Sequence, residues 1–180
     1  LFHSLKLFII LEKTTKMKHF FLATLFLAFT SLVFAQEKAP KSPHLTVENK
    51  GVKVVYGQPS KRGRVIYGEL VPYGQVWRTG ADQATEITFS KDVTFGGQKV
   101  KAGTYTLFTI PDKQTWTVIL NSKLGQWGAY DYEKNKSQDV LSVKVKREAL
   151  STPVEKLTFT LPGNAVVFEW DDTRITIPVK

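Results

Sequence analysis

Residues 44–180 read as an all-β domain, a β-sandwich of about nine short, mostly antiparallel strands, with a jelly-roll among the arrangements the pattern allows. Three observations predict this. Apolar residues alternate with polar ones from Leu45 onward, the two-residue period of a half-buried strand. Turn residues recur roughly every 8–12 positions, the spacing of a sandwich or barrel. No window of about a dozen residues carries the 3.6-residue period of an amphipathic helix.

The strands follow in order. Leu45 and Val47 alternate with Thr46 and Glu48, and after Gly51 come Val52, Val54 and Tyr56. Ile87 and Phe89 sit between polar neighbours, and Lys91-Asp92 turns the chain. Val93 and Phe95 lead into Gly96-Gly97, a two-residue hairpin signal. From Tyr105 to Ile110 nearly every residue is apolar or threonine, as in a central strand buried on both faces. Pro111-Asp112 ends it, and Trp116, Val118 and Leu120 form the next face. Leu141, Val143 and Val145 then alternate with polar residues, as do Leu157, Phe159 and Leu161. Pro162-Gly163-Asn164 makes a turn before Val166, Phe168 and Trp170. Asp171-Asp172 reads as one more turn, into Ile175, Ile177 and Val179.

Two stretches escape the alternation, residues 58–82 and 121–139. Irregular segments of this length on a compact scaffold are where function concentrates.

The beginning of the chain reads differently. Met17 is followed by a basic start, an apolar run and the small residue Ala35, the pattern of a secretory signal. Residues 17–35 are expected to be that signal, 1–16 an upstream mis-start, 36–43 a flexible leader and 44–180 the single domain. One uncleaved anchor made from both apolar runs is the competing reading, but Glu12, Lys13, Lys16 and Lys18 interrupt it. Removing residues 1–35 takes away four lysines and one glutamate, so the net charge falls from +9 to +6. That excess is dispersed, which argues for solubility and against nucleic acid as a partner. The expected location is periplasmic or extracellular, with no membrane span in the mature protein.

Composition excludes several chemistries. The chain has no cysteine, so the fold stands without disulfides and without a lipid-modified cysteine. With His3 and His19 removed, His44 is the one histidine left. A Ser-His-Asp triad would have to use it, a Cys-His pair cannot form, and a zinc site lacks ligands. Dinucleotide, phosphate-loop, zinc-protease and EF-hand motifs are missing, and neither a cofactor nor a metal is expected.

Carboxylate chemistry survives. Arg78, Asp82 and Glu86 lie close together and are the catalytic candidates, a carboxylate pair with a guanidinium as electrophile. Their structural alternative is that Arg78 pairs with one acid to fix a loop. Tyr73, Trp77, Arg78, Trp127, Tyr130 and Asp131 are the ligand-binding candidates, because aromatic faces beside polar groups stack on sugars or hold apolar ligands. Trp116 and Trp170 belong to alternating strands and are assigned to the core, with Trp77 also weighed as core. Lys61-Arg62-Gly63-Arg64 can grip an anion or simply solvate a loop.

The chain also resembles a known family. Tyr56-Gly57-Gln58-Pro59-Ser60, Val71-Pro72-Tyr73-Gly74-Gln75-Val76-Trp77-Arg78-Thr79-Gly80-Ala81 and Glu169-Trp170-Asp171-Asp172-Thr173-Arg174 are similar to the bacterial domain-of-unknown-function family numbered 2911, which is typically exported. The resemblance covers nearly all of residues 36–180 and implies no assigned activity or catalytic residues. It draws attention to residues 71–86. Two readings follow: a binding or interaction module of the periplasm or cell surface, with a glycan or anionic envelope ligand, and a hydrolase using Asp82 and Glu86 with Arg78.

Overall fold

The alternation seen in the sequence becomes burial. In β2 (Val52–Gly57), Val52, Val54 and Tyr56 turn inward while Lys53 and Val55 face solvent. The same division holds along β1 (His44–Asn49), β3 (Glu86–Phe89) and β4 (Val93–Phe95). The remaining strands are β5 (Gln98–Val100), β6 (Gly103–Ile110), β7 (Thr115–Asn121), β8 (Asp139–Thr160) and β9 (Ala165–Pro178). This computed structural model describes residues 42–180, so the early start, the secretory signal and nearly all of the leader lie outside the described residues. Among the described residues no helix is long and apolar enough to cross a membrane.

The strands form an antiparallel β-sandwich. Seven make a curled sheet in the order β1-β2-β3-β6-β7-β8-β9, and β4 and β5 form a two-stranded companion. Apart from that hairpin, each strand lies beside its sequence neighbour, so the connections are those of a meander without a Greek-key crossing. The hairpin turns at Gly96-Gly97 with φ of 57° and 92°, values that glycine adopts freely. It docks on the end of β9, where Thr94 N donates to Lys180 O at 2.7 Å and Lys180 N to Thr94 O at 2.9 Å.

β8 closes the sandwich. Its first half pairs with β7, its register slips between Ala149 and Thr158, and its second half pairs with β9. The far edge of that second half meets the chain after β2, with Leu157 N donating to Pro59 O at 3.0 Å and Lys61 N to Glu155 O at 2.7 Å. Between the layers lie Phe89, Phe95, Trp116, Phe168 and Trp170, all fully buried.

Two expectations about these strands change. The alternating runs at 141–146 and 156–161 belong to one bent strand, and Asp171-Asp172 is no turn but part of β9. Asp171 takes a left-handed φ of 52°, which kinks the strand without ending it. Lys61 Nζ holds its Oδ1 at 2.5 Å from across the fold.

β6 is buried on both faces over Thr106, Leu107, Phe108 and Thr109. Its inner face joins the main core. On its outer face Phe108 and, from β7, Ile119 form a second apolar cluster with Ala84 and Tyr132. Tyr132 belongs to the second irregular segment and Ala84 lies two residues past the first, so this small core fastens both to the sheet.

Candidate functional site

The two irregular segments meet. Ala84 N donates to Gln126 O at 2.9 Å and Gly128 N to Asp82 O at 3.0 Å, so residues 82–84 and 126–128 run as a short antiparallel pair. Glu86 accepts from Gly125 N at 3.0 Å. The second segment continues into α1 (Tyr132–Asn135), whose Tyr132 packs on Phe108 with ring centroids 5.2 Å apart. The Tyr132 hydroxyl donates to Asp139 at 2.7 Å, and burial, helped by that carboxylate, pushes its ionisation well above the ordinary range. Asn121 ties the same loop to Asn135 O at 2.8 Å.

The first segment is held as firmly. Trp77 exchanges backbone hydrogen bonds with Thr109 on β6, at 2.7 and 3.0 Å, and Thr85 O accepts from Leu107 N at 2.7 Å. Between these anchors the chain makes a tight loop, closed by Thr85 N to Arg78 O at 3.1 Å. Two non-glycine residues in it are left-handed, Thr79 at φ 52° and Asp82 at φ 62°. For a β-branched residue such as Thr79 this costs about 1–3 kcal/mol. The buried hydroxyls compensate: Thr79 Oγ1 lies 3.0 Å from Thr109 Oγ1, and Thr85 Oγ1 donates to Thr79 O at 2.9 Å. The loop also lies hard against β2, where a Cβ on Gly57 would sit 2.1 Å from Ala81 O.

A depression of about 300 Å³ opens between the two segments, with Leu70, Val76, Trp77 and Arg78 on one side and Ala129 and Tyr130 on the other. Arg78 is half-buried, and its Nε donates to Gly80 O at 3.1 Å. Among the described residues no carboxylate pairs with it, although it lines the hollow. Tyr130 is 78% exposed and its ring lies over Gly128, where a Cβ would come within 2.7 Å of it. Trp77 is buried and offers only part of its ring. A planar guanidinium fork beside an aromatic face suits a ligand with an anionic group and a flat or sugar-like body.

Not every expected residue reaches this depression. Trp127 stands beside it, 61% exposed and backbone-paired with Gln83, and Tyr73 covers Gly68 outside the lining. Asp131 opens α1 and pairs with Lys134 at 2.8 Å. The three catalytic candidates take different partners: Arg78 bonds Gly80 O, Asp82 lies 3.4 Å from His44 Nε2, and Glu86 holds Gly125 N. Among the described residues His44 has Asp82 as its side-chain partner and no serine hydroxyl within bonding distance. The basic group is spent on the fold, since Lys61 pairs with Asp171 and Arg64 bonds Ser60 O at 2.6 Å and Lys61 O at 3.0 Å. Leu70, Val76 and Ala129 went unflagged by their sequence, although Leu70 is an apolar residue at the tip of a turn, 46% exposed.

The model of the family described as Protein of unknown function (DUF2911) matches residues 39–179. The chain belongs to this family. No curated protein and no solved structure matched it. In this DUF2911 domain the sequence run shared with the family, residues 71–81, supplies the wall of the depression and the strained loop that carries Arg78. Among the described residues no three His, Asp or Glu side chains gather as a metal would require.

Proposed function

We propose that this DUF2911 protein is an exported binding module of the periplasm or cell surface, and that its ligand enters the depression at Arg78 and Tyr130. The observation that carries the reading is a half-buried guanidinium without a carboxylate partner, next to a tyrosine 78% exposed. An unpaired cation at a concave surface offers a ligand anion a charge-assisted, two-pronged hydrogen bond, and the tyrosine face offers stacking area. The matching ligand is a glycan bearing a carboxylate or phosphate. Backbone strain at Thr79 and Asp82 beside the site supports the assignment, since such strain gathers where a loop must hold a functional group in place.

A hydrolase built on Asp82 and Glu86 has less behind it, because the two carboxylates are tied to different partners and do not line the depression. The test is thermal shift and calorimetry with acidic and neutral oligosaccharides, on the native protein and on Arg78→Gln and Tyr130→Ala. Acidic ligands are expected to raise the melting temperature, with at least about tenfold weaker binding in Arg78→Gln, as for loss of a charged hydrogen bond. If none binds while a panel of hydrolase substrates is turned over, the reading fails. Export is checked separately: the secreted protein should begin at Gln36.

A further inference from the structure

A second charged surface lies where β8 and β9 part. Their ladder runs to Arg147↔Ile175 and stops. Beyond it the glycine turn of the β4–β5 hairpin fills the gap, so close to β8 that a Cβ on Gly96 would be 2.7 Å from a Val143 methyl. What remains is a cleft of about 450 Å³ lined by Lys144, Lys146 and Lys180 together with Thr94 and Thr176. On the other side of the hairpin a hollow of about 380 Å³ is lined by Lys99, Lys101, Asp92 and again Thr94 and Lys180. The two hollows share a wall, and together they hold five lysine side chains against one acidic side chain.

Most of that charge is uncommitted. Lys101 pairs with Asp92 at 2.8 Å, while Lys99, Lys144, Lys146 and Lys180 form no ion pair among the described residues. Glu148, the next acid along β8, accepts from Thr176 Oγ1 at 3.2 Å at the cleft's end. Lysines that merely guard a sheet edge sit along one strand. These come from β5, from β8 and from the segment after β9, and line the two hollows beside the hairpin. Lys144 and Lys146 face the same way, two residues or about 6.6 Å apart.

We propose that this double hollow is a docking site for a linear polyanion of the acidic polysaccharide class. Two concavities joined past a shared lysine fit a chain with repeated negative groups better than a single small anion. A lipid surface fits less well, because the large exposed apolar side chains lie outside both hollows. The site is separate from the Arg78 depression and does not depend on it.

The experiment measures binding of the protein to polygalacturonate, to neutral dextran, and to phosphatidylcholine vesicles containing phosphatidylglycerol, over a range of salt. Polygalacturonate should bind, and bind less as salt rises. Lys144→Gln combined with Lys146→Gln should weaken it about tenfold, whereas the exposed pair Lys53→Gln and Lys156→Gln should change it less than about twofold. The proposal is overturned by absence of polygalacturonate binding, by equal loss in both double variants, by dextran binding as well as the polyuronate, or by vesicles binding where the polymer does not.

Discussion

Two groups of aromatic residues, alike in composition, meet opposite fates in this domain. Tyr67, Trp77, Trp116 and Trp170 pack against each other, with Tyr67 edge-on to Trp116 at 5.0 Å and Trp77 stacked on Trp170 at 5.9 Å. Trp127 and Tyr130 stand 61% and 78% exposed. The buried group is placed by strands and isolated bridges, which fix each ring towards the other layer. The exposed pair sits in a glycine-rich stretch, with Gly125 and Gly128 at φ 67° and 65°, outside any strand of the sandwich. Burial makes an aromatic residue part of the fold, and exposure beside a hollow makes it available to a partner. Trp77 belongs to both groups, being a cluster member that also lines the depression. A ligand there would rest on a wall made rigid by the core.

Truncation is the most direct way to break this comparison. Trp116 is fully buried, and Trp116→Ala should cost about 3–5 kcal/mol in urea unfolding. Trp127→Ala should stay within about 0.5 kcal/mol, because little around it would be left empty. Similar losses at the two positions would remove the distinction.

A smaller effect sharpens it within the buried group. Tyr67 Oη and Trp116 Nε1 are buried without a hydrogen-bond partner among the described residues. The tyrosine is held neutral, its ionisation pushed well up by burial first and then by the charges of Asp171 and Asp172. An unmet buried hydroxyl is costly, so Tyr67→Phe should stabilise the domain by about 1 kcal/mol. A loss of stability instead would mean that the hydroxyl has a partner worth keeping.

The strands were readable because a sheet with one buried face imposes a two-residue period, as at Leu141, Val143 and Val145. The bend of β8 was not. Pro153 and its exposed neighbours look like a turn, yet a proline is tolerated where the ladder has already slipped. Asp171 looked like a solvated turn residue, and what keeps it in the strand is Lys61, 110 positions away. At the site, Arg78, Trp77 and Tyr130 were legible as charge and aromatic surface in irregular segments. Leu70 and Ala129 were not, because a loop's small apolar residues carry no pattern until residues 82–84 find residues 126–128. Nearness in sequence does not mean a shared partner: beside the left-handed turns at Thr79 and Asp82, one carboxylate lies by His44 and the other holds Gly125 N.

Acid supplies the gentlest separation of the two aromatic groups. Asp172 lies at the polar flank of the buried cluster, paired with Arg147 at 2.8 Å and accepting from Thr173. Burial, the largest single influence, pushes its carboxyl up, but the hydrogen bonds from Arg147 and Thr173 with the Arg147 charge outweigh it and hold the carboxyl below its ordinary 3.8. A carboxylate depressed in the folded state stabilises the protein above its unfolded value, and that contribution drains away as pH falls through the folded one. Stability should therefore decline below about pH 4, less steeply in Asp172→Asn, which forgoes the contribution at every pH. Three of the four tryptophans are buried and Trp127 is exposed, so emission from the buried ones should shift red as they open while that of Trp127 changes little. Trp127→Phe isolates the buried signal. If its acid transition vanished in that variant, the titration would report on the exposed loop, and Asp172 would have no hold on the cluster.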